Sequence, residues 1–146
     1  MVVVDASVLV TALGDDGADR DQPRGRLRGE RLAVPELVDP EVASVLRRLL
    51  LAGLLPLRRA ELAMSDLAAL ALRRVPYRPP LPRLWQLRQN LTVYDAVYVA
   101  LAELLGTTLL TADSRLAGAP GLGCEVELVA GRRCRREAGN AKHCAQ

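Results

Sequence analysis

"VVVDASVLV", residues 2–10, runs three valines into an aspartate and then returns to apolar residues. Consecutive β-branched residues suit a short strand buried on both faces, and the following "SVLVTAL" reads as the helix packed behind it. A strand passing directly into a helix is the opening of a parallel α/β unit. Asp5 stands at the junction, where a carboxylate is costly to bury unless something compensates its charge.

The same alternation repeats outward from this stretch. Residues 14–31, charged and glycine-bearing, fit a loop or an exposed short helix. "LAV" at 32–34 is a second strand, and Pro35 opens the region of a helix over 36–53, with apolar residues at 38, 42, 45, 46 and 49. A further helix is expected over about 58–74, closed by "VPYRPPLP", whose prolines force extended or turn backbone and accommodate a short edge strand. Then come a helix near 82–89, the loop "NLT", a helix "YDAVYVALAELL" ended by Gly106, and a strand "TTLLT". "DSRLAG" makes one helical turn, "GAPGLG" turns the chain, and "CEVELV" supplies a last strand. The expected fold is α/β: a three-layer sandwich around a mostly parallel central sheet of four to five strands.

The chain's 146 residues suit one domain, expected over 1–130, with a basic tail over 131–146. Phenylalanine is absent and aromatics are 3%, so the core must be built from Leu, Val and Ala. Nineteen arginines against one lysine give a net charge of +3, but the excess sits in Arg132, Arg133, Arg135, Arg136 and Lys142. The body is close to neutral, and its composition alone is weak evidence for a nucleic-acid surface. Cys124, Cys134 and Cys144 are an odd number and do not resemble a secreted disulfide framework; with His143 they also lack a paired zinc-ligand spacing. No apolar run reaches the roughly 20 residues of a membrane span, and no basic leader precedes an apolar stretch. The sequence therefore predicts a cytoplasmic protein with no membrane partner.

In a parallel sheet with helical crossovers, the carboxyl ends of the strands share one edge, and ligands bind there. Asp5, Glu41, Asp95 and Asp113 all fall at that edge, after strands or in the first turns of helices. Each also has an ordinary explanation. Asp5 and Asp113 fit helix caps, Thr92-x-x-Asp95 fits a capping box, and Glu36, Asp39 and Glu41 suit a helix dipole. Together they are harder to explain, because two carboxylates about 4 Å apart repel by roughly 4 kcal/mol at an effective dielectric near 20. Oxygen-only ligands from separate segments suit Mg2+ or Mn2+. Periodicity does not choose between Asp39 and Glu41, since both lie beside the apolar stripe of their helix.

"VVVDASVLV", "VPELVDPEVASVLRRL", "LRQNLTVYDAVYVALAELLG" and "LLTADSRLA", in this order, resemble the PIN-domain ribonucleases, most closely the VapC toxins of bacterial toxin–antitoxin systems. The likeness runs from Val2 to about Val129. It implies an acidic quartet at Asp5, Glu41, Asp95 and Asp113, and so favours Glu41 over Asp39. It also implies a Mg2+ or Mn2+ cofactor and cleavage of structured RNA, such as tRNA or ribosomal RNA, by metal-activated water. The expected products carry a 5′-phosphate and a 3′-hydroxyl. Ser7, Thr92 and Thr111 are placed to hydrogen-bond the acids, and Arg88 and Arg115 to meet substrate phosphates. The resemblance further implies a homodimer and a cognate VapB-like antitoxin, with the leucine-rich helices at 41–57 and 60–72 as candidate surface. The alternative is a PIN fold that binds RNA or a partner without cutting. A dehalogenase-like phosphatase would want Asp-x-Asp where this chain has Asp5-Ala6-Ser7, and a receiver domain would want a lysine that the body lacks.

Overall fold

The computed structural model describes residues 1–14, 17 and 20–129. The basic tail, with Cys134, His143 and Cys144, lies outside the described residues. Among the described residues five strands form one sheet: β1 (Val2–Val4), β2 (Leu32–Pro35), β3 (Leu72–Val75), β4 (Leu109–Thr111) and β5 (Val126–Leu128), in the order β3-β2-β1-β4-β5. Every pairing is parallel. The central strands β1, β2 and β4 are buried along their whole length, which is why "VVV", "LAVP" and "LLT" read as continuous apolar runs.

Among the described residues seven α-helices connect the strands: α1 (Ala6–Gly14), α2 (Asp21–Leu27), α3 (Val38–Leu51), α4 (Leu57–Ala69), α5 (Leu81–Gln86), α6 (Val93–Leu105) and α7 (Ser114–Ala117). A 3-10 turn at Leu87–Gln89 continues α5. Helices α1 to α4 pack on one another, while α5 packs along α6, which lies against β1, β2 and β4. The core is aliphatic, as the composition requires, with Tyr98 its one aromatic member. Among the described residues no helix is long and apolar enough to cross a membrane.

Three expectations are corrected. The helix expected over 58–74 stops at Ala69, and the edge strand expected within 75–82 lies earlier, at Leu72–Val75. Leu70, Ala71 and Leu72 prolong the apolar periodicity, and no glycine or proline marks the stop. The break instead comes from Leu70 turning extended, at φ −66° and ψ 133°. The strand then pairs with β2 through Leu32↔Leu72 and Pro35↔Val75, leaving Arg73 and Arg74 exposed on the sheet edge. The helix expected from 36 starts at Val38, because Pro35 still belongs to β2.

The strand order places the site. From β1 the chain moves outward through β2 to β3, then returns on the other side as β4, so the direction of travel reverses between β1 and β4. Ligands of open α/β sheets bind beyond the carboxyl ends of strands at such a reversal. Asp5 directly follows β1, and Thr111 closes β4.

Candidate active site

The β1–β4 register pairs Val4 with Leu110, which carries Asp5 alongside Thr111. The Asp5 amide donates to the Leu110 carbonyl at 2.9 Å, pinning the backbone. Asp5 is only 5% exposed, and its Oδ2 accepts two hydroxyls, Ser7 at 2.5 Å and Thr111 at 2.8 Å. Each hydroxyl accepts in turn from the backbone beyond β4: the Ala112 N–H donates to Ser7 Oγ, and the Asp113 N–H donates to Thr111 Oγ1, both at 3.0 Å. Two short relays thus fix the strand ends relative to each other and hold the first acid in place.

The other acids enter from helix N-termini, where the unpaired amides favour negative charge. Glu41 lies in the first turn of α3, and its Oε2 accepts the phenol proton of Tyr98 at 2.7 Å. Asp95 lies in the first turn of α6, where Thr92 caps the helix by accepting the Asp95 N–H and donates its own hydroxyl proton to Asp95 Oδ2 at 2.7 Å. Asp113 caps α7 by accepting the Arg115 amide at 2.8 Å, and its Oδ2 accepts the Arg115 guanidinium at 3.0 Å. The capping and site readings of Asp95 and Asp113 are therefore compatible, since each cap sets the direction of its carboxylate.

Electrostatics separates Asp113 from its neighbours. Burial pushes the Asp5 carboxyl above the ordinary range; Ser7 and Thr111 oppose the rise, and the charge of Asp95 adds to it. Burial likewise raises Glu41, with Tyr98 opposing and the charges of Asp5 and Asp95 adding. Arg115 holds Asp113 below the ordinary range. The charges of Asp5, Glu41 and Asp95 thus bear on one another, each carboxylate receives a hydroxyl proton, and Asp5 and Glu41 form no ion pair among the described residues. In this arrangement no three acidic or other ligand side chains among the described residues are gathered closely enough to hold an ion.

Arg115 reaches Asp113 but is otherwise 85% exposed, and Asp95 attracts it as well. Arg88 is engaged elsewhere: it lies 5.0 Å over the Trp85 ring and donates to the Trp85 carbonyl at 2.8 Å. Asp39, the alternative to Glu41, is gripped through both oxygens by Arg74 on β3, at 2.6 and 2.8 Å. Tyr98 was not among the expected site residues. The available signal was its place three positions after Asp95, on the same face of α6.

A parallel sheet with carboxylates beyond the carboxyl ends of its strands, beside the β1–β4 reversal, defines an acid-edged α/β protein. A PIN domain model matches residues 2–122, and the chain belongs to the PIN-domain family. Within that family it is of the VapC type. It is 47% identical over 128 residues to Ribonuclease VapC1 of Mycobacterium tuberculosis, covering 87% of this chain and 96% of that one. Two solved structures share the fold. One is the VapBC2 complex of Rickettsia felis bound to a promoter DNA fragment, at TM-score 0.62 and 13% identity over 88% of this chain and 99% of that one. The other is Mycobacterium tuberculosis VapC20, described as a sarcin-ricin loop cleaving toxin, at TM-score 0.61 and 17% identity over 80% and 92%.

Proposed function

We propose that this chain is the ribonuclease toxin of a toxin–antitoxin pair, a divalent-metal-dependent endoribonuclease that cuts structured RNA such as tRNA or ribosomal RNA. The observation that carries the reading is the set of Asp5, Glu41 and Asp95 at the topological reversal, of which Asp5 and Glu41 have no ion-pair partner among the described residues. Every donor on offer is oxygen, the ligand type of Mg2+ and Mn2+. Glu41 has one oxygen with no described donor, and burial, with the neighbouring charges adding, raises the carboxyls of both Asp5 and Glu41. An ion relieves both conditions. Mg2+ commonly keeps several waters and takes only one or two carboxylates directly, so the open spacing of the acids suits it.

Asp5, Glu41, Asp95 and Asp113 would hold the metal, directly or through water. Bound there, it supplies a water activated for attack on a phosphodiester and neutralises charge in the transition state. The protein's own part is orientation. Ser7 and Thr111 fix Asp5, Thr92 fixes Asp95, and the α7 cap fixes Asp113. Arg115, exposed beside Asp113, is placed to meet a substrate phosphate. Arg88 has no comparable position.

The relatives named as VapC ribonucleases, and the VapBC complex that shares the fold, support an antitoxin partner. A cleft of about 440 Å3 between α1, α2 and α4, lined by Leu9, Leu13, Leu27, Leu32 and Leu70, has the apolar character that such a segment needs. Of the helices expected from the sequence at 41–57 and 60–72, the second borders this cleft through Asp66, Ala69 and Leu70. A homodimer and a cytoplasmic location complete the reading.

The test is cleavage of total RNA by the purified full chain, followed by mapping of the 5′ ends. We expect Mg2+-dependent, site-resolved cuts that EDTA abolishes and that Asp5→Asn and Asp95→Asn lose while remaining folded. RNA bound without products under any metal would replace this reading with that of a non-catalytic binder.

A further inference from the structure

Tyr98 is the only fully buried aromatic residue in a chain with no phenylalanine; Tyr77, Trp85 and Tyr94 are all exposed. The aliphatic core around it therefore gains a hydroxyl where phenylalanine would fill the same space. A buried phenol must find a partner, and many such partners are backbone carbonyls. Here the partner is Glu41 Oε2, at 2.7 Å across 57 residues of sequence. The Ala6 N–H, next to Asp5, also bears on the phenol oxygen. The hydroxyl thus stands between the β1–α1 junction, which presents the first acid, and α3, which presents the second. Burial pushes the phenol's ionisation far up, so it is a fixed donor.

Glu41 has no other described donor. It sits in the first turn of α3 on a side chain with three rotatable torsions, and without the phenol nothing among the described residues selects its direction. We infer that Tyr98 is a positioning residue of the acid site: by donating to Glu41 Oε2 it commits that oxygen and aims Oε1 toward Asp5 and Asp95. The inference rests on the metal-site reading and goes beyond it by assigning a role to a residue outside the acidic quartet. Loss of an outer hydrogen-bond partner of a metal ligand typically costs 10–100-fold in metal affinity or activity.

The experiment measures Mn2+ binding by calorimetry, at one pH, to the full chain and to Tyr98→Phe, Glu41→Gln and the double variant, with thermal melting recorded in parallel. Tyr98→Phe keeps the ring and its packing. We expect it to bind Mn2+ about tenfold more weakly, and its RNA cleavage to recover at high metal concentration. In the Glu41→Gln background the same change should add less than about twofold, because the tyrosine acts through the glutamate. A Tyr98→Phe protein that melts lower but binds Mn2+ like the unaltered chain would reduce Tyr98 to a core residue and overturn the inference alone. An equal loss in both backgrounds would overturn it too. If the unaltered chain binds no Mn2+, the metal reading falls, and this inference falls with it.

Discussion

Glu103 and Asp5 are both carboxylates with little exposure, and they are held in opposite ways. Glu103 accepts two hydrogen bonds from Arg83, at 2.6 and 3.0 Å, and one from the Gly123 amide at 2.7 Å; its carboxyl is held below the ordinary range chiefly by the arginine. Asp39 with Arg74 and Glu127 with Arg26 follow the same pattern. Asp5, more deeply buried than any of them, receives the Ser7 and Thr111 hydroxyls and the Ser7 amide but no arginine, and is pushed the other way by its burial. In a chain with nineteen arginines, the neighbouring Asp5 and Glu41, without an arginine partner among the described residues, mark a region shaped for something other than stability. The matched pairs hold the fold; the unmatched acids are those that the proposed metal would compensate.

The largest expected effect breaks this contrast at its centre. Asp5→Asn should lower RNA cleavage by more than about 100-fold, beyond the usual loss for an outer-shell partner. The same substitution should raise the stability of the metal-free protein by about 1 kcal/mol in urea unfolding, because it removes an uncompensated charge. Next in size, Glu41→Gln should lower cleavage by about tenfold or more, whereas Asp39→Asn, two residues away on α3, should leave it within about twofold and cost at most about 1 kcal/mol. Equal cleavage by these two variants would erase the distinction between matched and unmatched acids.

Smaller effects sharpen the contrast. Glu103→Ala should cost about 1–2 kcal/mol of stability with cleavage unchanged, since it strips a charged acceptor from Arg83 and from the Gly123 amide. The pH dependence should separate the regions by sign. Asp5 and Glu41 are raised in the fold, so above the ordinary carboxylate range the native state holds more protons than the unfolded one; metal-free stability then falls as pH rises through the raised values. Glu103 and Asp113 are lowered, and their contribution is present above the ordinary range and lost as pH falls. Asp5→Asn should flatten the first slope and leave the second. The smallest effect belongs to Arg115→Ala, within about 0.5 kcal/mol for so exposed a pair.

The sequence carried the order of elements, the parallel sheet and the edge at which the acids gather, because "VVV", "LAV" and "TTLLT" are apolar on both faces and each is tied to a helix by a short junction. Other features depend on distant residues and were not legible there. Asp39 and Glu41 share the same flank of α3; what separates them is Arg74 on one and Tyr98 on the other, 35 and 57 positions away. The stop of α4 at Ala69 has no local marker, and the proline cluster at 76–82 drew the edge strand too far along the chain. Tyr98 reads as one more apolar position of α6 until its hydroxyl is followed across to α3. Arg88, adjacent in sequence to the third motif, turns back onto Trp85.

The Thr111 hydroxyl that holds Asp5 is contributed 106 positions later. A ribosome making this chain must release β4 and the turn beyond it before the two ends can meet, so every shorter nascent length has a sheet edge but no completed centre.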